Sequence, residues 1–578
     1  MTRLWHRILL CSVGVVSLAI LVSASAQERP TASQTDGRTY PAPRFPSYLS
    51  APKDVADIMP VARRLVRETQ GLQGGGLGVA RPGDTVALIT NIASEDIYVE
   101  AIKRAYQERG ITALSMPDYA LVGLTREQAQ KAREAIRPFT GKDGAAAEIR
   151  LWIENMFPKP DETKAWLKAN HPEVYAAVYP DKELDATQKE LINKMRSTNI
   201  GDAIRKFLDQ HPEVRGVFWA KAGTTSRRRE VHPYENKYLG TFTQDNAATV
   251  MSKVASFPGD VWRLIEEKTM EPVGYAEYAE VKDPQGTDLH WEMTEEMAAR
   301  WAAGVYQQGH LYMHPNQATG RFPYAVLEFP AFKQKYNPRE PMPPTNGVVV
   351  GTANHAGFYS QTKIHVENSY ITKVEGDGLY AQLFQVFLHY PGINETKYPY
   401  HNKPGFWWFY ETAFGTNPKY FRDPGDLMEA RNTPERNRSG VIHYGEGIRV
   451  HHGPEGPVQS KEWEDFFKEH NLPNDHWWHF HNYFSDYRLR VRGADQFITL
   501  IDKGHLTSMD HPEVRALASR YGNPDEVLAE DWIPELPGIN APGKYEDYAR
   551  NPWESVERTL YKEVPAGTYR YLYPPRKQ

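Results

Sequence analysis

Sulfur chemistry is nearly absent from this chain, which has a single cysteine, Cys11, among 578 residues. That cysteine lies in the apolar run from Ile8 to Val22, which follows Arg3, His6 and Arg7 and precedes the small-x-small triplet Ala24-Ser25-Ala26. Such a layout is that of a cleavable secretory leader over residues 1–26, with cleavage expected after Ala26; an uncleaved anchor is the alternative. A mature chain starting there has no thiol, which excludes disulfides, thiolate metal sites and cysteine nucleophiles. Long apolar runs are also scarce. The leader is short for a membrane span and nothing later approaches spanning length, so a soluble protein, periplasmic or secreted and with no membrane attachment after cleavage, is expected. Positive charge is not in excess: the formal net charge is -5 and no basic stripe is visible, so nucleic acid is not an expected partner. Internal repeats are lacking too. The glycine-rich run Gly71 to Gly78 precedes a strand instead of joining strand to helix, which argues against a phosphate loop.

What is present is enough chain for two substantial cores. Residues 27–50, rich in Thr, Ser, Pro and Arg, read as an extended linker. The turn Arg81-Pro82-Gly83-Asp84 feeds the apolar run Thr85 to Thr90, helical spacing runs from Glu95 to Arg109, and Ile111 to Leu114 resumes as a strand. Strand, helix and strand in that order form a βαβ unit, hence a parallel sheet. A second helix and strand follow, around Ile200 to Leu208 and Val214 to Ala220, after a charged helical insertion from about Thr125 to Lys194. The texture then changes. Tyr275 to Val281 alternates, Pro284 to Gly286 marks a turn, and short β-like runs recur at Gly347 to Thr352, Lys363 to Val366 and Tyr370 to Val374. The expected fold is an α/β N-terminal domain with a parallel sheet, residues 51–270, followed by a β-rich α+β C-terminal domain, residues 271–578.

The most informative segment is His476-Trp477-Trp478-His479-Phe480-His481-Asn482-Tyr483-Phe484. In a strand, successive side chains alternate faces, so His479 and His481 project from one side at metal-ligand spacing. A core strand with hydrogen-bonded histidines is the other reading of the same pattern. Aromatic runs flank the candidates: Phe406 to Tyr410 precedes Glu411, and Trp477, Trp478, Phe480 and Tyr483 surround the histidines. Such residues either wall a dry pocket for a planar or apolar ligand or simply build a core. His355, in Ala353-Asn354-His355-Ala356-Gly357, sits on a glycine-bounded loop, where it either serves as a general acid or base or lies idle at the surface. His451, His452 and His505 read as loop histidines without function, and Ser226 to Glu230 as solvated charge.

Several of these pieces, in this order, resemble the aminopeptidase T family, which also contains iron-dependent 2,5-dihydroxypyridine 5,6-dioxygenases. They are Arg81 to Val86, the hairpin Asp283 to Leu289, and Gly347 to Gly351 leading to Ile364-His365-Val366-Glu367-Asn368. The resemblance runs, with insertions, from about residue 80 to about residue 505. It implies a metal site on the β-framework of the C-terminal domain, and favours a homodimer. Glu411, in Tyr410 to Pro418, resembles the family's glutamate before a glycine; His443 resembles its histidine before a glycine-containing segment; His479 resembles the histidine of its His-x-Asp pair. The chain departs from the pattern at His481, where the family has Asp, and offers only a shifted Glu328 for a further glutamate; position 450 is Val where the peptidases have Tyr.

A dinuclear hydrolase needs a bridging carboxylate and several further ligands, and the chain is short of them. A mononuclear site needs about three protein ligands. The expectation is therefore an exported metalloenzyme in which His443, His479 and His481 hold Fe(II), with Glu411 as a fourth ligand or base and His355 as a further catalytic candidate. Three neutral imidazoles carry no compensating charge unless Glu411 or another carboxylate joins them, and Zn, Co, Mn or Cu would also accept such donors. The expected reaction is dioxygen-dependent cleavage of a small aromatic or apolar substrate. A metal-dependent hydrolase and a non-catalytic periplasmic binding protein are the alternatives.

Overall fold

The computed structural model describes residues 31–35, 38–45, 52–71, 74–92, 94, 96–136, 149–150, 152–154, 156–179, 185–195, 197–219, 237–241, 253–302, 310–312, 344–354, 357–399, 401, 403–422, 434–448, 461–474 and 478–558. The leader, His355, Glu328, the 226–230 cluster, His451, His452, His476 and Trp477 lie outside them.

Helix α1, Val55–Leu65, starts at Asp54, whose carboxylate accepts from the Ala56 and Asp57 amides. The expected βαβ unit follows as β1, Thr85–Thr90, α2, Asp96–Glu108, and β2, Thr112–Pro117. β1 and β2 pair in parallel, Thr85 opposite Thr112, and β1 is buried along nearly its whole length, as a parallel strand covered on both faces must be. Helix α3, Ser197–Gln210, leads to β3, Val214–Trp219, which pairs in parallel with the other edge of β1; β4, Tyr238–Thr241, continues the sheet beside β3.

The helical insertion is present as Arg126–Ile136, Pro160–Asn170, Pro172–Val178 and Ala186–Lys194. Its middle section does not remain with the parallel sheet. Trp152, Phe157, Leu167 and Val178 join the hydrophobic core of the C-terminal sheet, where the Trp152 ring meets Phe387 at 5.0 Å and Trp478 at 5.8 Å, both edge-on. The N-terminal arm is likewise tied to that body: Tyr40 is buried against Phe484, and Arg44 pairs with Ile533 through backbone bonds. Helix α4, Gly259–Met270, precedes the second sheet and buries Val261, Trp262 and Ile265.

The second sheet is antiparallel throughout and large. Its principal strands are β5, Ala276–Lys282; β6, Asp288–Glu292; β7, Thr345–Ala353; β8, Phe358–Glu367; β9, Tyr370–Glu375; β10, Trp408–Gly415; β11, Ile442–Gly447; β12, Trp478–Asn482; β13, Asp486–Val491; and β14, Phe497–Asp502, and the short segment His310–Tyr312 pairs with β10 off the main path. The order across the sheet is β12-β11-β10-β9-β8-β7-β6-β5-β13-β14, with Leu506 and His505 continuing beyond β14. Between β9 and β10, helix α5, Leu379–Leu388, packs on the sheet. The sheet curls until edge strand β12 faces β7, a half-barrel closed by side chains instead of a ladder: the Asn482 side chain donates from Nδ2 to the Val350 carbonyl at 2.9 Å, and its Oδ1 accepts from the Thr287 hydroxyl at 2.9 Å. No described helix is long and apolar enough to cross a membrane.

Candidate metal centre

The site sits on one face of β10, β11 and β12. Registers place Glu411 opposite Gly445 and Gly445 opposite His479, one row across three strands; the next row is Ala413, His443 and His481. Cross-strand partners share a face, so all four candidate side chains project the same way. The glycine at the middle of the first row leaves a gap between Glu411 and His479, and His443 from the neighbouring row reaches it. Its ring stacks on that of His479 with centroids 4.8 Å apart, and its Nε2 lies 3.4 Å from Glu411 Oε1.

One ligand atom each from Glu411, His443 and His479 lies within 4.8 Å of the others, and all three side chains are buried, with 2 %, 1 % and 6 % exposure. His481 stands apart from this group. Its Nε2 is 3.0 Å from His443 Nδ1, and its Nδ1 is 2.5 Å from Glu435 Oε1. Both ring nitrogens are thus engaged, so the geometry puts Glu411 where the sequence reading has His481. The physical reason is the row structure: only the side chains around the Gly445 gap converge. Burial pulls the His481 pKa down while Glu435 pulls it up, and burial prevails.

The backbone of the edge strand is pinned beside the site. Tyr380, on α5, donates its hydroxyl to the His479 carbonyl at 2.9 Å and accepts from the His479 amide at 3.0 Å, satisfying groups an edge strand leaves open. Trp478 and Phe480 project from the reverse face, where Trp478 packs on Phe384 at 4.4 Å and near Trp407 at 5.9 Å. The described aromatics of the histidine strand therefore build the core behind the site. Glu446, also on the reverse face, is fully buried, and neither carboxylate oxygen has a hydrogen-bond partner among the described residues. Burial first, and the nearby Glu411 charge second, push its pKa well above the usual carboxylate range.

Glu435 is the functional neighbour that sequence reasoning missed. It lies on a short 3-10 turn, Pro434–Asn437, forty-six positions from His481, and carries no motif. It forms a buried ion pair with Arg422, whose guanidinium also donates to the Asn354 carbonyl at 2.6 Å and lies 4.6 Å from the Phe358 ring centre. His505, expected on a loop, lies on a short strand segment, His505–Leu506, and is held between Glu530 at 2.8 Å and Asp510 at 3.0 Å.

Two imidazoles and a carboxylate converging in a dry interior fit one divalent ion of intermediate softness. The 3.4 Å approach of His443 Nε2 to Glu411 Oε1 is compatible with the fit, since two such atoms can share either a proton or a metal ion.

No protein-family model and no curated protein matches the chain. Among solved structures, the fold is similar to that of 2,5-dihydroxypyridine dioxygenase from Pseudomonas putida, at 10% identity and a TM-score of 0.40 over 79% of this chain and 98% of that one. It is also similar to wild-type AmpT from Thermus thermophilus, at 12% identity and a TM-score of 0.33 over 78% of this chain and 99% of that one.

Proposed function

We propose that the chain is an exported mononuclear metalloenzyme, with iron as the resident metal, that uses dioxygen to cleave a small aromatic or electron-rich apolar compound. The observation that carries this reading is the convergence of Glu411, His443 and His479 within 4.8 Å in the interior. Two histidines and one carboxylate are the donor set of non-haem Fe(II) oxygenases, and Glu411 brings the negative charge that three imidazoles lack. A bound Fe(II) would supply the one-electron chemistry with dioxygen that no side chain performs.

The chain's own residues do the rest. Glu411, His443 and His479 hold the metal, and the Tyr380 hydroxyl fixes the backbone of the edge strand that carries His479. The aromatic core behind the sheet keeps water from the reverse side. Burial of all three ligands suits a compact substrate better than an extended peptide.

The test is elemental analysis of mature protein purified anaerobically without added metal, followed by oxygen uptake with a panel of electron-rich rings and alkenes. About one iron per chain and substrate-dependent oxygen uptake are expected. Two zinc, cobalt or manganese ions per chain with peptide cleavage would replace this reading with a hydrolase. Absence of metal would replace it with a binding protein.

A further inference from the structure

The histidine that does not join the ligand group has a task of its own, set by the groups on either side of it. Glu435 and Arg422 are both buried, and an arginine stays protonated, so their pair is ionic and Glu435 presents only acceptor oxygens. One of those oxygens lies 2.5 Å from His481 Nδ1, which must therefore carry a hydrogen. A metal ion on His443 Nε2 takes the lone pair of that nitrogen, so a neutral His443 that serves as a ligand keeps its hydrogen on Nδ1. That Nδ1 lies 3.0 Å from His481 Nε2, and a His481 whose own hydrogen is on Nδ1, facing Glu435, offers Nε2 as the acceptor. With Nδ1 engaged in this way, His443 Nε2 faces Glu411, 3.4 Å away, as the ligand atom.

We propose that Arg422, Glu435 and His481 form a buried positioning chain that fixes the tautomer and ring orientation of His443, presenting its Nε2 as a ligand atom. Metal-binding histidines as a rule donate their second nitrogen to a carboxylate or carbonyl. Here an extra imidazole is interposed, and the carboxylate acts through it. The chain explains why position 481 holds a histidine on the ligand face without supplying a ligand: one nitrogen answers Glu435 and the other answers His443. It also ties the 3-10 turn at 434–437 to the β-sheet in a defined register, since the turn delivers the terminal carboxylate.

The inference rests on the proposed metal centre, and the experiment separates the two. In metal-free protein containing 15N-labelled histidine, two-bond nitrogen–proton correlations are expected to report the Nδ1–H tautomer for both His481 and His443; an Nε2–H tautomer at His443 overturns the chain, whether or not the protein takes metal. Metal affinity is then measured by competition against a chelating dye, using Zn(II) and Fe(II). His481→Phe, which fills the space but offers no acceptor, is expected to lower affinity about 10–100-fold, while His481→Gln, whose amide oxygen can accept from His443 Nδ1, retains affinity within a few-fold. If both variants lose metal as completely as His479→Ala, His481 is itself a ligand and the proposal fails. It fails equally if His481→Phe binds metal as the parent does. A near-ultraviolet circular dichroism spectrum of each metal-free variant, unchanged from the parent, confirms that folding is not the cause.

Discussion

Asp283 offers a sharp test of the electrostatics inside the C-terminal sheet. It opens the turn between β5 and β6, accepting from the Gln285 amide at 2.9 Å and from the Ser485 hydroxyl at 2.8 Å. Despite these bonds, burial dominates and pushes its pKa from the ordinary 3.8 up to about 6. At 1.36 kcal/mol for each tenfold change in the protonation equilibrium, that displacement corresponds to about 3 kcal/mol. Because the folded pKa is raised, the folded state binds the proton more tightly than the unfolded chain. Stability from this group is therefore full below pH 3.8, falls as pH rises towards about 6, and stays lower above it. Asp283→Asn removes the titration and leaves a pH-independent cost from the altered hydrogen bonds. Urea unfolding of both proteins, followed by tryptophan fluorescence from pH 4 to pH 7.5, isolates the effect, since other groups cancel in the difference. The stability of wild type minus that of Asp283→Asn is expected to fall by about 2.4 kcal/mol across this range, the remainder of the total of about 3 kcal/mol lying below pH 4. A flat difference would refute the claim that burial outweighs the turn's hydrogen bonds.

Three further outcomes are expected. Glu446→Met, which removes a buried carboxyl without hydrogen-bond partners among the described residues, should stabilise the protein by about 1–3 kcal/mol in urea unfolding, with the gain growing as pH rises above the unfolded carboxylate's 4.5, because only the parent resists ionisation. Glu411→Gln and His479→Ala should each abolish stoichiometric metal in elemental analysis while the circular dichroism spectrum of the metal-free protein stays that of the parent; full metal in either variant removes that residue from the ligand set. Gly415→Ala would place a Cβ 2.2 Å from the Arg438 carbonyl oxygen. It should destabilise the protein by about 1–3 kcal/mol or more and weaken metal binding, because the displaced segment leads directly into β11.

The parts of the fold that could be read in advance are those with a local physical cause. The run Thr85 to Thr90 is apolar enough for a strand covered on both sides, the helix after it has one buried stripe, and the turn Asp283 to Gly286 carries its own hydrogen bonds. Helix α5 escaped notice because it is buried on most sides, which erases the polar stripe that marks a helix. The charged pattern of the insertion gave no sign that Trp152 and Phe157 cross to the C-terminal core, since a long-range contact leaves no trace in local periodicity.

At the site, alternation along the strand was sufficient to put His479 and His481 on one face, because a strand repeats every two residues whatever surrounds it. Glu411 and His443 were identifiable as residues of the same chemistry. Which of the four would meet was decided only by the tertiary structure. The registers of β10, β11 and β12 set Gly445 between Glu411 and His479, opening the space into which His443 reaches, and the turn at 434–437 delivers Glu435 to occupy His481. Local sequence determines the face on which a side chain lies; register and distant chain determine its neighbours, and metal-binding geometry depends on the neighbours.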